Sequence, residues 1–107
     1  MSNFDDRESA FENQFARDAD MQFRIIARRN RLLGQWAAEK MGLTPEEADA
    51  YAKSVVQADF EEIGDEDVIR KLVADLVSAG VEVEGSVIRA ALDEMAIAAR
   101  RHFIEGV

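Results

Sequence analysis

Apolar positions along this chain recur at helical spacing in four blocks, separated by short breaks that mostly contain glycine. In the first block Phe23, Ile26, Leu33 and Ala37 share one helix face, and Ile25, Leu32 and Trp36 widen it. Gly42 follows Met41 and suits a left-handed stop. The second block opens on Thr44-Pro45-Glu46-Glu47. Threonine there serves as N-cap, proline fits the first helical position, and a glutamate follows three residues after the cap. Ala48, Tyr51, Ala52, Val55, Val56 and Phe60 then form a stripe that Gly64 ends. The third block begins near Asp65, whose carboxylate is expected to cap, with Glu66 and Asp67 favoured at the positive end of the helix dipole. Val68, Ile69, Leu72, Val73, Leu76 and Val77 form its apolar face, and Gly80 stops it. Residues 81–85, VEVEG, read as a linker, because a single strand would have nothing to pair with. Ser86 is expected to cap the fourth helix, which buries Val87, Ile88, Ala91, Leu92, Met95, Ala99 and Phe103.

The expected fold is all-α: a small four-helix bundle with helices at about 20–41, 45–62, 66–79 and 86–104. Residues 20–107 form the bundle, and residues 1–19 a mobile N-terminal segment. That segment has its own pattern. Its first eighteen residues hold Phe4, Phe11 and Phe15 but no Leu, Ile or Val. At about 100° per residue the three rings fall within roughly 40° of one another. The apolar phase of the first helix traces back through Ala19 to these phenylalanines. A helix over residues 4–40 would be roughly 55 Å long, about twice its neighbours. Ordering about fifteen residues costs on the order of 1–2 kcal/mol each in backbone entropy. Three buried rings return roughly 1.5–3 kcal/mol apiece. The N-terminal part of this long first helix is therefore expected to be frayed or disordered when free, and to fold against a partner's apolar groove.

Charge narrows the partner. The formal net charge of −9 argues against nucleic acid and against an anionic membrane surface. No apolar run reaches the roughly 20 residues that span a bilayer, and the acidic N-terminus is no signal peptide. The chain has no cysteine, which removes disulfides and thiolate chemistry and fits a cytoplasmic location. No long heptad run suggests a coiled-coil dimer, so the free protein reads as a monomer. The charge is nevertheless uneven. Arg24, Arg28, Arg29, Arg31 and Lys40 form a basic stretch between acidic ends.

Little here supports catalysis. His102 is the one histidine, near the C-terminus, and no Gly-rich phosphate loop or nucleophile set accompanies it. The acidic run Asp59 to Asp67 fails as a calcium loop, because Ile63 and Arg70 stand at the fifth and twelfth positions. Arg24, Arg28 and Arg31 lie on one side of the first helix. They suit pairing with acidic residues of the same bundle, with a weak contact to an anion or adenine nucleotide as the alternative. No cofactor or metal is otherwise implied. Gly34 inside the helix costs stability, and close approach of a neighbouring helix accounts for it. Trp36 reads as core.

Four segments taken together resemble a known family. They are FDDRESAFENQFARD (Phe4 to Asp18), ARRNRLLGQWAAEKMGLT (Ala27 to Thr44), AYAKSVVQADFEEIGDEDVIRKL (Ala50 to Leu72) and DLVSAGVEVEGSVIR (Asp75 to Arg89). In order and spacing they look like the zeta subunit of alphaproteobacterial F-type ATP synthases, an inhibitor of ATP hydrolysis. The resemblance covers residues 4 to about 95. It implies a non-enzymatic regulatory protein. Its N-terminal segment would enter, as a helix, a catalytic interface between the alpha and beta subunits beside the gamma shaft, with the bundle as anchor. The family's inhibitory motif falls on Phe4, Asp5, Asp6, Arg7, Glu8, Phe11, Glu12 and Phe15. Ser9, Asn13 and Gln14 depart from its pattern, which bears on strength and not on mode. The location implied is cytoplasmic, peripheral to the inner membrane through the synthase. The competing reading is a helical adaptor or nucleotide-sensing protein in which the arginine face does the work.

Overall fold

The computed structural model describes residues 19–61 and 65–106, with side-chain surroundings for 59–61 left aside. Four helices follow in order: α1 (Ala19–Lys40), α2 (Pro45–Glu61), α3 (Glu66–Ser78) and α4 (Gly85–Glu105). No strand occurs among the described residues, and VEVEG is an irregular connection running into α4. The segment before Ala19, including Phe4, Phe11 and Phe15, lies outside the described residues, as does Gly64.

Each helix contributes at least one fully buried aliphatic side chain: Leu33 from α1, Val55 from α2, Leu72 and Leu76 from α3, and Ile88 from α4. These meet in one cluster with Ala37, Val68, Ile69, Ala91 and Leu92. Burying each such side chain is worth roughly 1.5–3 kcal/mol, so no helix keeps its apolar face without the others. Helix α1 is the central element, packed most extensively on α2 and next on α4. Gly34 makes the α1–α2 contact. A Cβ there would lie 2.7 Å from Cα of Ala52 and 3.2 Å from Cγ2 of Val55. The close approach expected from sequence is thus the reason a glycine interrupts α1.

Local signals set the helix ends. At the start of α2 the Thr44 amide donates to Oε1 of Glu47 at 2.9 Å, and the Glu47 amide donates to Oγ1 of Thr44 at 3.2 Å. This reciprocal pair is a complete capping box. The bonds from Thr44 hold the Glu47 carboxyl below its ordinary value of 4.5. A lowered carboxylate contributes stability above its unfolded pKa and loses it as pH falls through the folded one. Thr44→Ala is therefore expected to return the Glu47 titration, followed by NMR, to the ordinary range and to lower the denaturation midpoint at neutral pH. At the end of α3, Gly80 has φ of 84°. Its amide donates to the Val77 carbonyl at 3.0 Å, and the Val81 amide donates to that of Leu76 at 2.8 Å. That pairing is a Schellman stop. Gly42 and Leu43 repeat it after α1, donating to Glu39 and Ala38.

Several expectations are corrected. Phe23 is 52% exposed, although its angular phase is right. It lies two residues N-terminal to Ile25, the first buried position of α1. Val77 and Val87 are exposed because the connection between α3 and α4 folds its own valines inward. Val81 and Val83 pack on the core in their place. Asp65 makes no side-chain cap, since its backbone is already helical at φ −84°, ψ −15°, and a cap needs an extended residue. Ser86 does not cap α4 either. Gly85 already begins the helix, and Glu84 is the capping residue, accepting the Val87 amide at 3.0 Å through its carbonyl.

Candidate functional site

The arginines of α1 separate into three environments. Arg24 pairs with Asp20 one turn earlier at 3.1 Å, both exposed. Such i,i+4 surface pairs are worth only a few tenths of a kcal/mol. Arg29 is buried, which the sequence reading did not single out. Its Nε and Nη2 donate to Oδ1 of Asn30 at 3.1 and 3.0 Å, and Nη2 also meets Oδ1 of Asp65 at 3.1 Å. The Asp65 carboxylate, withheld from the cap, thus ties the α2–α3 corner to α1. The signal for Arg29 was in the chain. It stands four residues after Ile25 and four before Leu33, both buried, on the same line of the helix.

Arg28 and Arg31 face a groove of about 440 Å³ between α1, α2 and the C-terminal part of α4. Ala27, Val56 and Phe103 give it apolar walls, and Arg28, Arg31, Lys53 and Gln57 give it polar ones. Asp49 binds two of these cations, Arg31 at 2.9 Å and Lys53 at 3.2 Å. Two of the three positive side chains along this wall, Arg31 and Lys53, therefore share one carboxylate. The Nε of Arg28 is buried without a hydrogen-bond acceptor among the described residues. Of the three arginines expected to share a face, the structure brings Arg28 and Arg31 together and leaves Arg24 on its own pair. Lys53 and Phe103 join them from other helices, which no single-helix pattern could announce.

On another side, the Tyr51 hydroxyl donates to Oδ2 of Asp75 at 2.7 Å, and Lys71 reaches the same oxygen at 2.9 Å. The Lys71 ammonium also lies 5.3 Å from the Tyr51 ring centroid, and Lys40 lies 4.9 Å from that of Trp36. Burial first, then the bond and the charge of Asp75, push the Tyr51 hydroxyl well above its ordinary value of 10.0. This group favours the folded state below its unfolded pKa, and that stability is lost as pH rises past it. Tyr51→Phe is expected to cost about 1 kcal/mol at neutral pH. It should also flatten the alkaline fall in stability that the parent shows above about pH 10. Urea denaturation across pH measures both. Among the described residues no group of His, Asp or Glu side chains is arranged to hold a metal ion. No described helix is long and apolar enough to cross a membrane.

The family model for the ATPase inhibitor subunit zeta matches residues 1–102. The chain belongs to that family. The match takes in the undescribed N-terminal segment, the first three helices and α4 as far as residue 102. A chain described as a solution NMR structure of a protein is 41% identical, with a TM-score of 0.70. The alignment covers 81% of this zeta subunit and 99% of that chain. A search of curated proteins finds no match. The inhibitory positions Phe4, Asp5, Asp6, Arg7, Glu8, Phe11, Glu12 and Phe15 all lie outside the described residues.

Proposed function

We propose that this zeta subunit blocks ATP hydrolysis by an F-type ATP synthase by lodging residues 1–18 as a helix at a catalytic interface. The alpha and beta subunits form the walls of that interface, and the gamma shaft lies at its inner end. The bundle anchors the inhibitor on the outside of the catalytic head, which keeps the protein cytoplasmic and peripheral to the inner membrane. Free of the synthase, it is a monomer and catalyses nothing itself.

The observation that carries this reading is the completeness of the core. Its buried apolar side chains run from Ile25 to Ala99 and come from all four helices. Among the described residues the core closes without the three phenylalanines ahead of it, which leaves their ridge for another surface. Phe4, Phe11 and Phe15 act as apolar anchors. Asp5, Asp6, Arg7, Glu8 and Glu12 set orientation through charge pairs. Because the chain lacks cysteine, Asn13→Cys gives a unique handle for a photoactivated cross-linker. Products with the alpha, beta or gamma subunit are expected. Products confined to other subunits would place the segment elsewhere.

A second reading concerns Arg28 and Arg31. Both line the groove, so a weak contact with phosphate groups such as those of an adenine nucleotide belongs there. Arg24, held by Asp20, does not line it.

A further inference from the structure

We infer that residues 81–84 are a docking edge for an extended strand of another protein, one that alternates basic with small apolar side chains. This rests on the reading of the bundle as the anchor on the catalytic head, and it names the surface that anchors and the chemistry it takes.

Residues 81–84 run from the end of α3 to the start of α4 outside any helix. Glu84 has φ −93° and ψ 149°, within the β region. Val81 and Val83 pack on the core, whereas Glu82 and Glu84 are exposed. That is the two-residue alternation of a strand with one face on a core. Its backbone is largely unspent. Among the described residues no backbone carbonyl accepts the amides of Glu82, Val83 or Glu84, and no backbone amide reaches the carbonyls of Val81, Glu82 or Val83. No strand among the described residues stands beside it to use these groups. Unpaired amides and carbonyls in a row are a template on which another chain adds a strand. A hollow of about 460 Å³, lined by residues 81–84 with Lys40 and Val87, leaves room for one. Val77 in the last turn of α3 and Val87 in the first turn of α4 flank the stretch and are exposed.

Charge selects the occupant. Outward-facing charges are a usual guard against edge pairing. Here both are anionic, so the guard repels acidic strands and admits basic ones. A second copy of this chain would set Glu82 and Glu84 against their own kind, and like charges across a strand pair are destabilising. Residues 1–18, with five carboxylates against two arginines, are turned away on the same ground. The cation on the rim of the hollow, Lys40, lies 4.9 Å from the ring centroid of Trp36. A strand with Lys or Arg at alternate positions sets those cations beside Glu82 and Glu84. Its small apolar residues then fall on the core side, level with Val81 and Val83.

The edge lies at the opposite end of α1 from the inhibitory segment. Lys40 stands about 32 Å along the helix from Ala19. Edge and segment can therefore engage two places on the head at once. Linked contacts bind more tightly than either alone, so a weakened edge is read as weakened inhibition.

The test uses the full-length chain, isotope-labelled for NMR, and three acetylated and amidated hexapeptides. The first alternates Lys and Val, the second has all its Lys before all its Val, and the third is the first with every backbone amide methylated. The alternating peptide should shift the signals of Glu82, Val83, Glu84 and Val87 and leave Arg28 and Gln57 unmoved. Hydrogen exchange should slow about tenfold with nine sites in ten filled, at Glu82 and Glu84 or at Val83 according to the edge taken. The second peptide, equal in charge, and the third, without donors, should do neither. Glu82→Lys with Glu84→Lys should abolish the response and raise the concentration for half-inhibition of a zeta-depleted synthase about tenfold. Both side chains are exposed and the Glu84 side chain makes no cap bond, so the melting curve should match the parent's. An equal response to the second or the third peptide overturns the proposal, as do shifts confined to the groove around Arg28. A lysine variant that inhibits like the parent overturns it likewise. Peptide response without inhibition by the parent chain would sink the inhibitory reading and leave the docking edge standing. Inhibition without peptide response at residues 81–87 would sink the docking edge alone.

Discussion

Phe11→Ala and Phe15→Ala are each expected to weaken inhibition of ATP hydrolysis by about 30-fold. That factor corresponds to the roughly 2 kcal/mol lost when a central aromatic anchor is truncated. The two residues stand four apart in sequence, the spacing that puts them on neighbouring turns of one face in the proposed inserted helix. Together they supply most of the apolar area a narrow ridge can insert, with Phe4 seven residues further out. The bundle should be untouched, since its buried side chains begin at Ile25. A melting curve identical to the parent's, beside a large rise in the concentration needed for half-inhibition, is the expected pair of results. A variant that inhibits like the parent removes that ring from the anchor set. One that also melts early would show that the ring belongs to the bundle instead.

Gly34→Val is expected to destabilise the bundle by about 3 kcal/mol, at the upper end of what overpacking costs. The direction reverses the usual rule. An exposed mid-helix glycine replaced by alanine gains about 1 kcal/mol from helix propensity. Here the first added carbon meets Cα of Ala52 at 2.7 Å, and that backbone atom cannot turn aside as a side chain would. Two further methyl groups then press on Val55, already 3.2 Å from the added Cβ. Relief requires α1 and α2 to separate, which opens the cluster around Leu33 and Val55. For a domain whose total stability is on the order of 5–15 kcal/mol, such a loss is plain in urea denaturation. Gly34→Ala should also be less stable than the parent. A more stable alanine variant would mean the helices can part at no cost.

What the sequence made legible followed from how local each cause is. The capping box at Thr44 and Glu47 and the glycine stops at Gly42 and Gly80 are decided by a few neighbouring residues, and they formed as expected. Gly34 was legible because a glycine inside a helix needs a packing reason. Phe23 and Val77 were misjudged because periodicity gives a residue's angle about the helix but not whether a neighbour extends far enough to cover it. Val81 and Val83 were missed as core because a linker has no period to read. Arg29 was passed over through its charge, although its phase was that of the core. The groove needed three helices at once. Arg28 and Arg31 were visible as a cationic face, but Lys53, Val56 and Phe103 reach them only through the tertiary fold. The segment is a separate case. Its ridge is clear in the sequence because it rests on the spacing of three phenylalanines alone, and under the proposed function its setting is a partner surface that the chain does not contain.

The central claim, that residues 1–18 carry the inhibition and the bundle the anchorage, is met most directly by ATP hydrolysis. A zeta-depleted alphaproteobacterial ATP synthase would be assayed with the intact chain and, separately, with a version starting at Asp20, its folding verified by circular dichroism. Inhibition by the intact chain, with binding but no inhibition by the shortened one, is the predicted result. Equal inhibition by both versions would contradict the account and move the inhibitory surface onto the bundle.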